Sequence, residues 1–270
     1  LDPERQEDWV ATIPPPDGYR DPRSGESYAR EIDTAIATLA ARGRRPAAFF
    51  VDTIYTSDGI FIPPSGYLDA AWRRVRDAGG LCIADEVQAG FGRTGEHFWG
   101  FAQQAVVPDI VTLGKPIGNG HPLAAVVTTP EIAAAFARDR YYFNTFGGNP
   151  VSCAAGLAVL DVLEREALQT NARETGAYLR AQLDALAGQH EVIGDVRGSG
   201  LFCGVELVRD RESREPAEDD ALRVVNAMRD AGVLIGRTGR HGNVLKIRPP
   251  LVFSRDNVDD LAAALDAALA

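Results

Sequence analysis

Lysine is almost absent from this chain. Of 28 basic residues only Lys115 and Lys246 are lysines, and the rest are arginine. A guanidinium stays charged at neutral pH, whereas a desolvated lysine amine can lose its proton and become a nucleophile, so each lysine is a residue to account for. Cysteine is scarce as well. Cys82, Cys153 and Cys203 are odd in number, far apart and set among apolar neighbours. Neither a disulfide framework nor a zinc spacing fits them, and a reducing, cytoplasmic compartment is expected. No run approaches the ~18 apolar residues of a membrane-spanning helix, and the opening LDPERQEDWV is too polar for a signal peptide. An excess of positive charge is also missing: the net charge of −10 is the wrong sign for a nucleic-acid-binding face. The four histidines are scattered and form no H-E-x-x-H, and there is no G-x-S-x-G, so no metal site is expected and metalloprotease and serine hydrolase chemistry fall away. Methionine does not open the chain, which is therefore expected to be part of a longer polypeptide.

What is present is an ordinary globular composition: 270 residues, 45% hydrophobic and 24% charged, enough for one large domain or two modest ones. Residues 1–30, rich in Pro, Asp and Arg, read as a surface connection. Helical spacing follows over Ser27–Ala41, with Ile32, Ile36 and Leu39 on one face. AAFFVDTI at 47–54, LCIAD at 81–85, DIVTL at 109–113 and LAAVV at 123–127 are short apolar runs, with an amphipathic helix predicted at 67–78. Strands apolar on both faces and separated by helices indicate a mostly parallel α/β sheet covered on both sides. Asn149-Pro150 predicts a helix start, with Asn as cap and Pro in the first turn. Helices are expected to about Glu166 and over 168–187. Beyond Val192 the pattern is strand (201–208), polar loop, helix (217–231), strands at 233–236 and 244–248, and a helix at 255–269 capped by Ser254. This reads as a smaller α+β domain.

Two motifs mislead. GFGRTG at 90–95 has the dinucleotide-binding glycine spacing, but EHFWGF is a poor helix opening and no acidic residue lies about 20 positions on. LCIADE resembles the strand end of an ATPase, yet the phosphate loop it requires is missing: Asp109 and Pro116 stand where glycine and Ser or Thr are needed. A different constellation survives. Asp85 closes one buried strand, and Lys115 follows another about one βαβ unit later. The carboxyl ends of strands in open α/β sheets point into the ligand crevice. A surface salt bridge is one reading of such a pair. The other is a pyridoxal phosphate site, in which the lysine amine joins the cofactor aldehyde and the carboxylate holds the ring nitrogen protonated.

GLCIADEVQAGFGRTGEHFWGF, PDIVTLGKPIGNGHPLAAVVTT and YFNTFGGNPVSCAAGLAVLDVLE together resemble the class III aminotransferases, pyridoxal-phosphate enzymes of fold type I. The resemblance runs from about residue 10 to the C-terminus. IPPPDGYR, HFWGF and NVLKIRPPLVFS are most similar to the branch containing the ethanolamine-phosphate and phosphohydroxylysine phospholyases. The resemblance implies an incomplete fold type I large domain over 1–165, then a connecting helix and C-terminal small domain over 166–270. It implies that Lys115 forms the Schiff base and shuttles the substrate proton, that Asp85 pairs with the pyridinium nitrogen, and that Val87 packs on the ring. It further implies that Gln88 reaches the ring hydroxyl and that Thr145 binds the cofactor phosphate of a neighbouring subunit, hence a homodimer with shared sites.

Two departures from the family bear on the reaction. Many members carry a glutamate in the segment reading VDTIYTSDG and a carboxylate-binding arginine in the one reading LKIRPPL; here those positions are Ser57 and Lys246. Asp52 also replaces a usual glutamate. Lys246 and Arg248 are two residues apart on a predicted strand and share a face, where they can hold a carboxylate or a phosphate. Nothing in residues 1–46 resembles the family's phosphate-binding turn at a helix N-terminus, so part of the site is expected to lie outside this sequence. The resulting expectation is a transaminase that moves an amino group from a primary amine or amino acid to a 2-oxo acid. The alternatives are a phospholyase working through the same carbanion, and an inactive paralogue acting by dimerisation.

Overall fold

Four short apolar runs assemble into one sheet. The computed structural model describes residues 6–270; residues 1–5 of the expected N-terminal connection lie outside the described residues. The chain divides into two units. The first holds the described residues up to Thr53, with Pro63–Val87 and Phe101–Gly156. Its strands are β1 (Ala48–Asp52), β2 (Leu81–Asp85), β3 (Ile110–Leu113) and β4 (Ala125–Thr128), side by side in that order. β1, β2 and β3 are parallel, in the mostly parallel α/β arrangement expected, with Asp52 beside Asp85 and Asp85 beside Thr112. β4 is antiparallel to β3, because the short connection between them leaves no crossover helix. The Asp109 carboxylate locks the register: it accepts the Cys82 N–H at 2.7 Å and pairs with Arg76 at 3.2 Å.

The predicted first helix is two, α1 (Gly25–Ala29) and α2 (Glu31–Ala41), with Ile32 and Leu39 buried. α3 (Tyr67–Asp77) is amphipathic as predicted and buries Tyr67, Leu68, Ala71, Trp72 and Val75. Gly79, at φ 84°, ends it in a backbone conformation that favours glycine. α4 (Pro130–Asp139) has Thr129 as its side-chain cap. Asn149 caps α5 (Pro150–Arg165), its Oδ1 accepting the Ser152 N–H at 3.0 Å. The expected cover on both sheet faces is not met within this unit: Phe50, Val126 and Val127 are more than half exposed. The small-residue face of α5 is likewise open at Cys153 and Ala154.

The second unit comprises Ile54–Ile62, Gln88–Gly100 and Leu157–Ala270. Here α6 (Leu168–Ala187), β5 (Ile193–Gly198), β6 (Cys203–Leu207), α7 (Glu218–Asp230), β7 (Gly236–Thr238), β8 (Val244–Ile247) and α8 (Arg255–Leu269) form an antiparallel sheet, order β5-β6-β8-β7, with three helices. Cys203, Val205, Leu207, Leu245 and Ile247 join Leu179, Leu183, Met228, Val258 and Leu265 in one core. Ile54, Ile60, Phe202 and Val244 form a second cluster, so every residue of β6 is buried. α8 begins with the predicted Ser254 cap, completed by Asn257 into a reciprocal capping box. The run Val233–Ile235 is not a strand. The Val233 N–H donates to Met228 O at 2.8 Å to close α7, and β7 starts only at Gly236. β5, whose polar IGDVRG hides its period, was not foreseen.

Candidate active site

In the first unit, parallel pairing brings Asp85 to the end of β2 next to Thr112 of β3. One oxygen of Asp85, Oδ1, accepts the Val87 N–H at 3.0 Å and the Thr112 hydroxyl at 3.3 Å. Both donors are neutral and both fix the carboxylate, leaving Oδ2 outside these bonds. Beyond Thr112 the chain runs through Leu113 and Gly114 into a tight turn, Lys115–Ile117, whose first residue has φ 40°. Lys115 is exposed, and none of the ion pairs among the described residues joins it to Asp85. The salt-bridge reading therefore lapses. A methyl group built on Gly114 would stand 3.4 Å from the Val87 side chain, so Val87 borders the backbone that leads to Lys115.

Beside Asp85, Glu86 is fully buried and accepts the Thr53 hydroxyl at 3.2 Å and the Phe101 N–H at 2.9 Å. It ties β2 to the ends of two neighbouring segments. Thr145 lies in a loop, 141–148, that is exposed throughout. The loop is shaped by Asn144, whose Oδ1 accepts the N–H groups of Phe146 and Gly147 at 3.1 and 2.9 Å.

The second unit gathers the remaining residues. Gln88 Oε1 accepts Lys246 Nζ at 3.1 Å and Arg248 Nη1 at 2.8 Å, and its amide nitrogen donates to the Thr56 hydroxyl. Lys246 also donates to Thr56 O at 3.1 Å. The shared face predicted for Lys246 and Arg248 is real, and both cations meet on a single carbonyl oxygen. Arg93, inside the GFGRTG turn, adds a third cation: burial pushes its pKa down to about 10, and the positive charge of Arg248 acts in the same direction. Its guanidinium donates to the carbonyls of Leu201 and Pro249. Phe91, Gly92 and Gly95 of that motif have positive φ, the mark of a glycine-rich turn and not of a helix opening. Ser57 is exposed, and its backbone carbonyl accepts the Thr238 hydroxyl at 2.8 Å. Thr56 and Thr112 were missed from sequence, because an isolated threonine carries no local signal of the long-range partner it meets.

A family model described as aminotransferase class-III matches residues 6–269. The chain belongs to the class III aminotransferase family. It is 47% identical over 268 residues to an alanine–glyoxylate aminotransferase 2-like protein of Drosophila melanogaster, covering 95% of this chain and 54% of that protein. It is 40% identical to ethanolamine-phosphate phospho-lyase homolog 1 of Caenorhabditis elegans, covering 98% of this chain and 60% of the relative. Among solved structures, a phospholyase from Arthrobacter in complex with phosphoethanolamine superposes with a TM-score of 0.90 at 45% identity, over 95% of this chain and 62% of that one. The chain thus spans little more than half the length of the curated relatives it matches.

Proposed function

We propose that the full-length protein is a pyridoxal-phosphate-dependent aminotransferase that moves an amino group from a primary amine or amino acid to a 2-oxo acid. The observation that carries this reading is Asp85 at the end of β2, with neutral donors fixing one carboxylate oxygen, and Lys115 in the turn that follows the adjacent strand β3. Pyridoxal phosphate, when bound, supplies an aldehyde for amines and a ring that withdraws electrons once its nitrogen is protonated. The residues of the first unit fit that group. Asp85 keeps Oδ2 for an N–H of the ring, and Val87 offers an apolar wall beside a glycine backbone. Lys115 is the residue that would hold the group, through its side-chain amine. The same amine, when free, would serve as the base and acid that moves the proton of the substrate carbon. Thr145, on a fully exposed loop flanked by Phe143 and Phe146, serves the cofactor phosphate of a second copy in a homodimer. Three cysteines without disulfides, two of them buried, support a reducing, cytoplasmic setting.

A second reading has its own observation. Two cations donating to one oxygen, with a third beside them, present more positive charge than a neutral substrate end requires. A phosphorylated amine would answer it, and expulsion of the phosphate would make the protein a phospholyase. Full-length protein loaded with pyridoxal phosphate and titrated with amines, phosphoethanolamine included, separates the two when no 2-oxo acid is present. An aminotransferase loses its yellow colour after one equivalent of amine and stops. A phospholyase keeps its colour and releases phosphate continuously. Protein that never turns yellow, even with added cofactor, contradicts both and leaves the inactive, dimerising paralogue.

A further inference from the structure

The segment Ile54–Ile62 carries backbone strain at two residues. Tyr55 and Ile60 have φ of 49° and 62°, and a left-handed backbone is costly for any side chain and most of all for a β-branched one. Within the segment, the N–H groups of Asp58 and Ile60 both turn back to Tyr55 O. Yet this segment supplies both groups of Thr56 that meet the cation cluster, the carbonyl to Lys246 and the hydroxyl to Gln88.

The sheet of the second unit grips this segment from one side. In its register Arg197 of β5 stands beside Gly204 of β6, and Gly204 beside Lys246 of β8. The three positions form one row. Arg197 Nε donates to Gly59 O at 2.9 Å and Ile60 O at 3.0 Å, and its guanidinium lies 4.7 Å from the centre of the Phe61 ring. The same group pairs with Asp195 at 2.8 Å and with the buried Glu206 at 2.7 Å. Asn243 holds the other oxygen of Glu206 at 3.1 Å. Gly204, in the middle of the row, leaves the space that Ile60 fills: a methyl group there would lie 3.1 Å from Ile60 Cδ1. Arg197 therefore grips one end of the segment, Ile60 seats in the gap, and Lys246 meets the other end at Thr56.

We propose that Arg197 is a positioning residue that sets the anion affinity of the Lys246–Arg248 pair by holding Ile54–Ile62 in place, with Gly204 as its seat. This rests on the reading that Lys246 and Arg248 recognise the acidic end of the substrate. The buried Glu206 and Asn243 keep the Arg197 guanidinium aimed at the segment, so its two carbonyl bonds cannot be replaced by a single ammonium group.

The test uses full-length protein loaded with pyridoxal phosphate and two readouts: calorimetric binding of inorganic phosphate, and KM and kcat for phosphoethanolamine against propylamine. Lys246→Met and Arg197→Met are each expected to weaken phosphate binding and raise KM for phosphoethanolamine about tenfold, the scale of one charged hydrogen bond. For Arg197→Met the propylamine kcat should shift by less than about threefold. The double variant should be no worse than Lys246→Met alone, because coupled residues are not additive. Arg197→Lys should recover the melting temperature but not the phosphate affinity. Gly204→Ala, which keeps every charge, should weaken binding in the same way, and it decides the matter if Arg197→Met does not fold. Normal phosphate binding in Arg197→Met, or full additivity in the double variant, overturns the role of Arg197 while the cation-pair reading stands. Normal phosphate binding in Lys246→Met overturns that reading, and this proposal with it.

Discussion

The two units solve the same problem of burying a four-stranded sheet, with opposite results. In the second, helices fill one face and Ile54–Ile62 meets Gly204 on the other, so all of β6 is buried and even Glu206 has its partners in place. In the first, α3 buries its apolar face, but Phe50, Val126 and Val127 stay exposed, and the aromatic loop after α4 is open, with Tyr141 at 92% exposure. The functional groups divide along the same line. The first unit carries the pair proposed for the chemistry, Asp85 at the end of β2 and Lys115 in the turn after β3. The second carries the cations proposed to recognise charge: Lys246 donates to Gln88 and Thr56, Arg248 to Gln88, and Arg93 to two carbonyls. Chemistry needs a lysine free to leave its first partner, whereas recognition needs cations that stay where they are.

The largest expected effect breaks the comparison on its chemical side. Lys115→Arg keeps the charge, but its guanidinium can neither join an aldehyde nor carry the proton, so turnover should fall at least ~10⁴-fold in a steady-state assay while the melting temperature holds. Asp85→Asn should follow. Its amide keeps the bonds to Val87 and Thr112 but loses the negative charge opposite the ring nitrogen, and kcat should drop roughly 10²–10³-fold. Equal loss in KM and none in kcat would place Asp85 in binding instead of chemistry.

On the packing side, Leu183→Ala opens the closed core of the second unit and should cost about 2–5 kcal/mol in chemical denaturation. Val127→Ala, on the open face of the first unit, should stay within about 0.5 kcal/mol unless another chain covers it. A large cost for the valine would show that face to be buried in the working protein. Each unit also holds one buried thiol as a reporter. Burial pushes both Cys82 and Cys203 up to about 12. The folded pKa is thus raised above the unfolded one, and the associated stability is complete below about pH 9 and drains away as pH rises towards 12. Alkaline denaturation should therefore begin above pH 9. Native-state thiol labelling should reach Cys82 before Cys203, since the less covered unit opens more readily.

Much of this was legible in sequence where the signal is local. Asp85 ends an apolar run of strand length, Lys115 follows another, and Asn149 and Ser254 cap helices by chemistry confined to four residues. Even the overlooked α4 announces itself with Thr129-Pro130 and Glu131, a capped and proline-led first turn. Signals from distant segments were not legible. β5 is polar because Arg197, paired with Asp195, meets Glu206 of β6 and the Ile54–Ile62 segment, partners that lie outside β5. Val233–Ile235 looks like a strand by its branched apolar residues, but Gly232, at φ 85°, turns it into the closure of α7. The meeting of Gln88 with Lys246 and Arg248 spans some 160 residues, so no local stretch of sequence holds both partners.

The division of labour makes a direct claim about the two lysines: one is chemical and the other is not. Borohydride reduction of the full-length protein loaded with pyridoxal phosphate fixes the cofactor to its lysine, and peptide mass spectrometry then locates it. The account expects the cofactor mass on the peptide that contains Lys115, with the Lys246 peptide unmodified. Cofactor on Lys246, or an unmodified Lys115 in yellow protein, would contradict it.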